Sequence, residues 1–503
     1  MCLRFRQLLL TLSFVLLTLF ANAGIVLPSL ISDNMVMQQN VPVHLWGKAD
    51  AGENIKISIL KQQVMVVADE KGNWETWLSP MKSSVNVTMT LTGTNKIEVK
   101  NILIGEVWLA SGQSNMEWDV SQSDNAEQEM KDADYPNIRL FVAKKSFSDT
   151  IQTQIEGQWV LCTPLTIPKF TAVGYFFGRG LYKKLKVPVG LIEAAWGATN
   201  CQAWTPITTI NSDPRLTYLN DDWQKIAAGF AQRQKGYETA LAQWKITSEE
   251  QKAKGLQPSP APRPVQMITK DKPSVIYNAV IAPLSPYTIR GVIWYQGEAN
   301  AYERVSYPYR FLFPAMIQSW RDAWKQGDFP FLFVQLSTLF KHPYWPVLRE
   351  SQTETLKLKN TGMAVTIDVG DSTNAHYKNK QIVGYRLELV ARNMVYGENI
   401  EFSGPLFRQA TIENDKIRIW FEHARGLKSN NGQPLTGFLI SGTDGKFLPA
   451  TAIIDGETIL LSNPSITKPV NVHYAFKDAP VVNLENGAGL PAVPFRTDIK
   501  NGL

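Results

Sequence analysis

A serine attacks a carbonyl carbon only when a base takes its proton and nearby donors receive the oxyanion that forms. Ser114 has the setting for this. Residues 105–120 read GEVWLASGQSNMEWDV, an apolar run that breaks after Ala110 into Ser-Gly-Gln-Ser-Asn before apolar residues resume at Met116. The chain has five histidines that could serve as base. His44, His423 and His473 lie in alternating, strand-like stretches, and His342 sits in a loop reading FKHPYW. His376 follows the last apolar strand of the central region, in AVTIDVGDSTNAHYKNK, and is the stronger choice. A carboxylate normally fixes the tautomer of such an imidazole and stabilises the imidazolium. Asp371 is the first candidate for that role, Asp368 the second, and a Ser-His dyad without an acid the third. A lone Asp in such a loop also serves in turns and helix caps.

These residues need elements to carry them. From Gly24 to Asn101 apolar and polar residues alternate between turn signals, as in ENIKISIL and VNVTMTLTGTNKIEVKN, the period of half-buried antiparallel strands. A β-sandwich is expected over 24–101. From Ile102 to about residue 400 continuous apolar runs such as EVWLAS, NIRLFVA, GVIWYQ and FLFVQLS alternate with helical stretches. That rhythm predicts a parallel sheet covered by helices on both faces, with polar residues gathered beyond the strand ends where such sheets bind ligands. Residues 212–270 break it with LNDDWQKIAAGFAQRQKGYETALAQWKI and the Pro-rich QPSPAPRP. They are expected to form either an insertion at the rim of the site, such as a helical hairpin, or a simple surface elaboration. The period of two returns over 401–503 and predicts a second β domain.

Composition narrows the function classes. Arg4 and Arg6, the apolar LLLTLSFVLLTLF and the Ala-Asn-Ala ending at residue 23 read as a cleaved signal peptide, so a periplasmic or extracellular protein is expected. Its removal takes away two arginines and no acid, lowering the net charge from +6 to +4. So even a balance argues against a nucleic-acid partner, and no membrane contact is expected once the leader is gone. Two cysteines remain in the mature chain, too few for a disulfide framework. No metal-ligand pattern or phosphate-binding glycine loop is present, so no metal and no cofactor are expected.

The serine motif is not the α/β-hydrolase elbow, which needs glycine two residues before and two after the nucleophile; Gly112 fits the first position and Met116 fails the second. With Gly-Gln-Ser-Asn after an early strand and a histidine near the last one, the chain resembles the SGNH (GDSL-like) hydrolases. EVWLASGQSNMEW, GLIEAAWGATNCQAWTP, GVIWYQGEAN, LRESQ and NLENGAGLPAVPFRTD look more specifically like the sialate O-acetylesterase family of carbohydrate esterases. The resemblance covers essentially the whole mature chain. It implies a three-layer α/β/α hydrolase domain over 102–400 flanked by the two β-sandwich domains. It also implies a serine esterase removing O-acetyl groups from a carbohydrate, most naturally 9-O-acetylated sialic acid, through an acetyl-serine.

By the same resemblance Ser114 is the nucleophile and an oxyanion donor through its N–H, Gly197 a second donor, Asn300 a third through its amide, and His376 the base. Gln113, Trp118, Arg349 and Gln352 are the candidates for holding the sugar. Arg349 could meet a substrate carboxylate or acetyl carbonyl by bidentate geometry, or form a surface ion pair with Glu350. For Trp118, Trp204 and Trp345 core packing competes with sugar stacking. Two departures from the family pattern stand out. Trp196-Gly197-Ala198-Thr199 has alanine where a second glycine is usual, and Thr373 occupies the position, three before His376, where many relatives carry the acid. An acetylated plant polysaccharide such as xylan is the alternative substrate, and a noncatalytic carbohydrate-binding protein the alternative class. The oligomeric state is not legible.

Overall fold

The computed structural model describes residues 24–498 except 266 and 268, so the leader expected at 1–23 lies outside the described residues. Among these residues no helix is long and apolar enough to cross a membrane.

Seven strands come first: β1 (Val36–Gln38), β2 (Val43–Lys48), β3 (Asn54–Ile59), β4 (Gln62–Val67), β5 (Asn73–Leu78), β6 (Ser84–Thr92) and β7 (Lys96–Gly112). β2 pairs with β5, and β4-β3-β6-β7 form an antiparallel run. β7 does not stop at the expected boundary near residue 102. Its first half pairs with β6, and its second half, buried from Ile102 to Gly112, becomes the middle strand of the central sheet.

That sheet adds β8 (Tyr135–Val142), β9 (Trp159–Cys162), β10 (Val189–Ala195), β11 (Gly291–Tyr295), β12 (Phe331–Val334) and β13 (Thr361–Ala364), in the order β13-β12-β11-β7-β10-β8-β9. The six from β13 to β8 are mutually parallel, while β9 is antiparallel to β8 and β6 to β7, so the whole is a mixed sheet rather than a purely parallel one. Helices cover both faces. Trp108 of β7 meets Phe177 of the helix Ala172–Leu185. Trp294 of β11 lies opposite Ser111 of β7, three residues along from Trp108, and so faces the other way. It packs on Phe313 and Trp320 of the helix Tyr309–Trp324.

The insertion is not a hairpin of helices. It is one 36-residue helix, Tyr218–Ala253, buried only at Leu219, Trp223 and Ser248. The chain returns without a second helix because Pro258, Pro260, Pro262 and Pro264 remove the amide donors a helix needs. Trp244 Nε1–H donates to the Ser259 carbonyl (2.7 Å), laying the return beside the helix. After residue 401 two four-stranded antiparallel sheets form, one containing Leu406–Glu413 and Lys416–Glu422, the other Phe438–Ser441 and Asn471–Tyr474.

Candidate functional site

The segments that follow β7, β10, β11 and β13 converge at one end of the central sheet. β7 ends at Gly112, whose φ is +138° and whose missing Cβ would lie 2.2 Å from the Tyr295 carbonyl oxygen of β11. Only glycine lets the two strands come this close. Gln113 is extended, and Ser114 opens the short helix Ser114–Glu117. The first amides of a helix have no partner within it, which leaves the Ser114 N–H available to a ligand.

Ser114 and His376 meet across 262 residues of chain, with His376 Nε2 2.8 Å from Ser114 Oγ. The imidazole stacks on Trp118, ring centroids 5.2 Å apart and planes 17° from parallel. Burial, and then the charge of Lys380, push the His376 pKa below its ordinary 6.5. The neutral ring that can accept a proton is thereby favoured.

No carboxylate among the described residues bonds to this histidine, contrary to the expectation for Asp371. Its Oδ1 accepts from the Thr373 N–H (2.8 Å) and hydroxyl (2.7 Å), closing a turn, and those bonds hold its pKa below the usual carboxylate value. Asp368 is no substitute. β13 ends at Ala364, and Asp368 forms a two-pronged ion pair with Arg386 (2.6 and 2.7 Å). His342 sits by Trp345, away from this pocket.

What holds His376 is a buried polar hub. Asn115 Nδ2–H donates to Glu298 Oε1 (2.5 Å) and to the carbonyl of Ala375 (2.9 Å), the residue before His376. Lys380 Nζ donates to Asn115 Oδ1 (2.5 Å) and lies over the Tyr377 ring, 4.2 Å from its centroid, with Trp118 and Tyr295 further off. Burial lowers the Lys380 pKa to about 7 and raises that of Glu298. Asn115, Glu298 and Lys380 carried no sequence signal of their own. Their only mark is that they fall within GQSN, GEAN and HYKNK.

The expected oxyanion donors are placed unevenly. Gly197 lies beside the nucleophile, a Cβ built on it falling 3.4 Å from Ser114 Cβ, but its N–H donates to the Glu117 carboxylate, which is also paired with Lys145. Ala198, in the usual glycine position, adopts a left-handed φ of +57° that is costly for an L-residue. Asn300 does not line the pocket. Its Oδ1 accepts from Cys201 N–H and Gln296 Nε2–H (both 2.8 Å) and its Nδ2–H donates to Gln202 Oε1 (3.0 Å). Gln113 does line it. Its Oε1 accepts from the N–H groups of Gly297 (3.3 Å) and Ala299 (3.2 Å), so the amide nitrogen is the end left over.

Two expected sugar contacts belong to the scaffold instead. Arg349 is fully buried, donates to the carbonyls of Ser337, Lys477 and Asp478, and burial lowers its pKa to about 9. Its acceptors are backbone carbonyls, and Glu350 pairs instead with Arg310 and Arg496. Gln352 accepts from Leu336 N–H (2.9 Å) and donates to the carbonyls of Gln296 and Val334. Both residues satisfy backbone groups of loops that would otherwise be buried without partners. Trp204 and Trp345 are core residues, and Trp118 spends its face on His376 rather than on open solvent.

The resulting pocket, about 370 Å³, is lined by Gln113, Ser114 and His376 together with Asn200, Asp271 and Glu298. Among the described lining residues the only ionisable groups besides the histidine are carboxyls and the Tyr302 phenol. A nucleophile, a neutral base and unoccupied donors around one hollow can perform acyl transfer.

A family model described as "Carbohydrate esterase, sialic acid-specific acetylesterase" matches residues 267–390, the span that contains Glu298, His376 and Lys380. The chain is 30% identical to the sialate O-acetylesterase of Mus musculus, covering 96% of each. It is 31% identical to that of Homo sapiens over 77% of this chain and 74% of the relative. Among solved structures, a carbohydrate acetylesterase from Xanthomonas citri superposes with a TM-score of 0.81 at 33% identity, covering 95% of this chain and all of the other.

Proposed function

Because the chain belongs to the sialate O-acetylesterase family and is a carboxylic ester hydrolase acting in carbohydrate deacetylation, we propose that it works through an acetyl-serine on Ser114 in an SGNH-type α/β/α domain. The observation that carries this reading is the 2.8 Å contact between His376 Nε2 and Ser114 Oγ. His376 takes the hydroxyl proton as Ser114 attacks the acetyl carbonyl, then returns it to the departing sugar oxygen. Water, deprotonated by the same imidazole, releases acetate. The Ser114 N–H and the Gln113 amide receive the oxyanion, and the Gly197 N–H joins them once the acetyl group displaces Glu117.

The test is a rapid quench of p-nitrophenyl acetate turnover followed by peptide mass spectrometry. An acetyl group is expected on the Ser114 peptide, and acetylation elsewhere would sink the mechanism. In the same assay Gln113→Ala should lower kcat by roughly 10²–10³-fold, the usual loss for one oxyanion donor. A change confined to KM would place Gln113 in ground-state binding.

On the sugar, two readings have support. The family description and the mammalian relatives' names favour O-acetylated sialic acid. The lining favours a neutral O-acetylated saccharide such as an acetylated plant polysaccharide. Asp271 and Glu298 face the hollow, burial raises both pKa values, and Arg349, the expected partner for a sialic carboxylate, is buried elsewhere. A carboxylate brought against carboxyls is repelled when they ionise. The leader pattern in residues 1–23 supports export to the periplasm or medium. N-terminal sequencing of the secreted chain should begin near Gly24, and an intact Met1 would refute cleavage.

A further inference from the structure

The catalytic pocket has a neighbour. Two of its lining residues, Asn200 and Asp271, also line a second hollow of about 300 Å³ on the far side, built against the first turns of the long helix Tyr218–Ala253. We propose that this second hollow is a subsite for the neighbouring sugar unit of an oligosaccharide, so that the enzyme acts on O-acetylated chains of two or more sugars rather than on single ones. The proposal rests on the esterase reading above and deepens it.

The second hollow has the amphipathic lining a pyranose needs. One side is apolar: Leu219 and Trp223, two of the three buried residues of the helix, and Ile226, half exposed. Of the helix's large apolar residues, the two that are buried both lie in its first turns, against the hollow. The junction is polar. Asp271 Oδ1 is buried with no hydrogen-bond partner, in a carboxyl whose residue lines both hollows. A buried acceptor left unmatched costs free energy, and a sugar hydroxyl bridging the two hollows would supply the donor. Asn200, held to the Asp271 carbonyl by its Nδ2–H (3.1 Å), fixes the other lip of the junction. Each hollow is near the lower end of small-molecule sites, roughly 300–1,000 Å³, about the size for one sugar unit apiece. On this reading the insertion supplies the wall that selects chain length.

The experiment measures kcat/KM on p-nitrophenyl acetate and on matched sugars acetylated at one hydroxyl: xylose with xylobiose, glucose with cellobiose, and free sialic acid with sialyllactose. For the best pair the wild-type enzyme should prefer the longer sugar by about tenfold or more, carried by KM, since tenfold is a modest loss for truncating one aromatic anchor. Trp223→Ala should erase most of that preference while Trp223→Phe keeps it, both being checked by thermal midpoint. Should Trp223→Ala fail to fold, Asp271→Asn carries the test, and its loss should be greater on the disaccharide than on the aryl acetate. Equal wild-type values within every pair, or variants that lower every substrate alike, would overturn the subsite. Turnover of the aryl acetate with none of any acetylated sugar would overturn the carbohydrate reading itself and the subsite with it.

Discussion

The imidazole facing Ser114 has no carboxylate on its ring, and if it is the base proposed above the consequence is a specific pH profile. Activity needs the neutral imidazole. Burial and the Lys380 charge both disfavour the protonated form, so kcat/KM should rise along a limb centred below pH ~6.5. An acid on the ring would have moved that midpoint upward. Asp371→Asn should therefore leave both limb and rate within twofold of wild type, since the carboxylate serves a turn with Thr373. A downward shift of the midpoint with a large loss of kcat would restore Asp371 to the mechanism. At this scale the sequence was legible where chemistry singles out a residue type. A serine ending a buried strand and a histidine after the last strand stand out among so few candidates. It was illegible for Asp371, Asn300, Arg349 and Gln352, because a polar residue near a motif serves a ligand or a buried loop equally well. The choice lies in where its neighbours' backbone groups point.

At the scale of elements, the helix turn bearing Ser114 is tied to the loop bearing His376. Asn115 makes that tie through Ala375, and Lys380, at the start of the helix Lys380–Met394, holds the other end of the amide. Asn115→Ala should lower kcat by up to about 10²-fold, the loss expected for a misplacement near 1 Å. KM for a small aryl acetate and the midpoint of the pH limb should change little. A fall in thermal stability with kcat preserved would make the hub merely structural. Nothing in HYKNK reveals this role. Lys380 reads as a solvated cation, and its burial arises from rings of Trp118, Tyr295 and Tyr377, which only the fold assembles. The strands were easier to read, since continuous apolar runs and alternating ones bury different numbers of faces. The hairpin expected for the insertion failed for a local reason: a proline every second residue cannot donate the amides of a second helix.

At the scale of the whole molecule, the C-terminal sheets are fastened to the central region by Glu350. It pairs with Arg310 of the same region (2.7 Å) and with Arg496 of the C-terminal segment (2.7 and 3.1 Å), and Arg349 beside it caps the carbonyls of Lys477 and Asp478. Glu350 is 8% exposed. Removing one member of a buried ion pair leaves uncompensated charge, at a cost of about 3–5 kcal/mol. Glu350→Ala should lower the unfolding free energy by that order, read as a lower urea midpoint, and make the segment after residue 401 the first released in limited proteolysis. Cleavage elsewhere first would show that the fastening lies in other contacts.

The continuity of β7 also sets an order of assembly. Its leading half can find β6 as soon as both leave the ribosome, being joined by a short turn. Its trailing half leads directly into the turn that bears Ser114 and must wait for β10 and β11, which lie far downstream on either side. Until they arrive, a largely apolar strand stands with two open edges, an arrangement prone to wrong pairing. The middle of the hydrolytic sheet is thus its earliest-made strand. Amides of residues 106–112 should be the last of β7 to gain protection from hydrogen exchange during refolding.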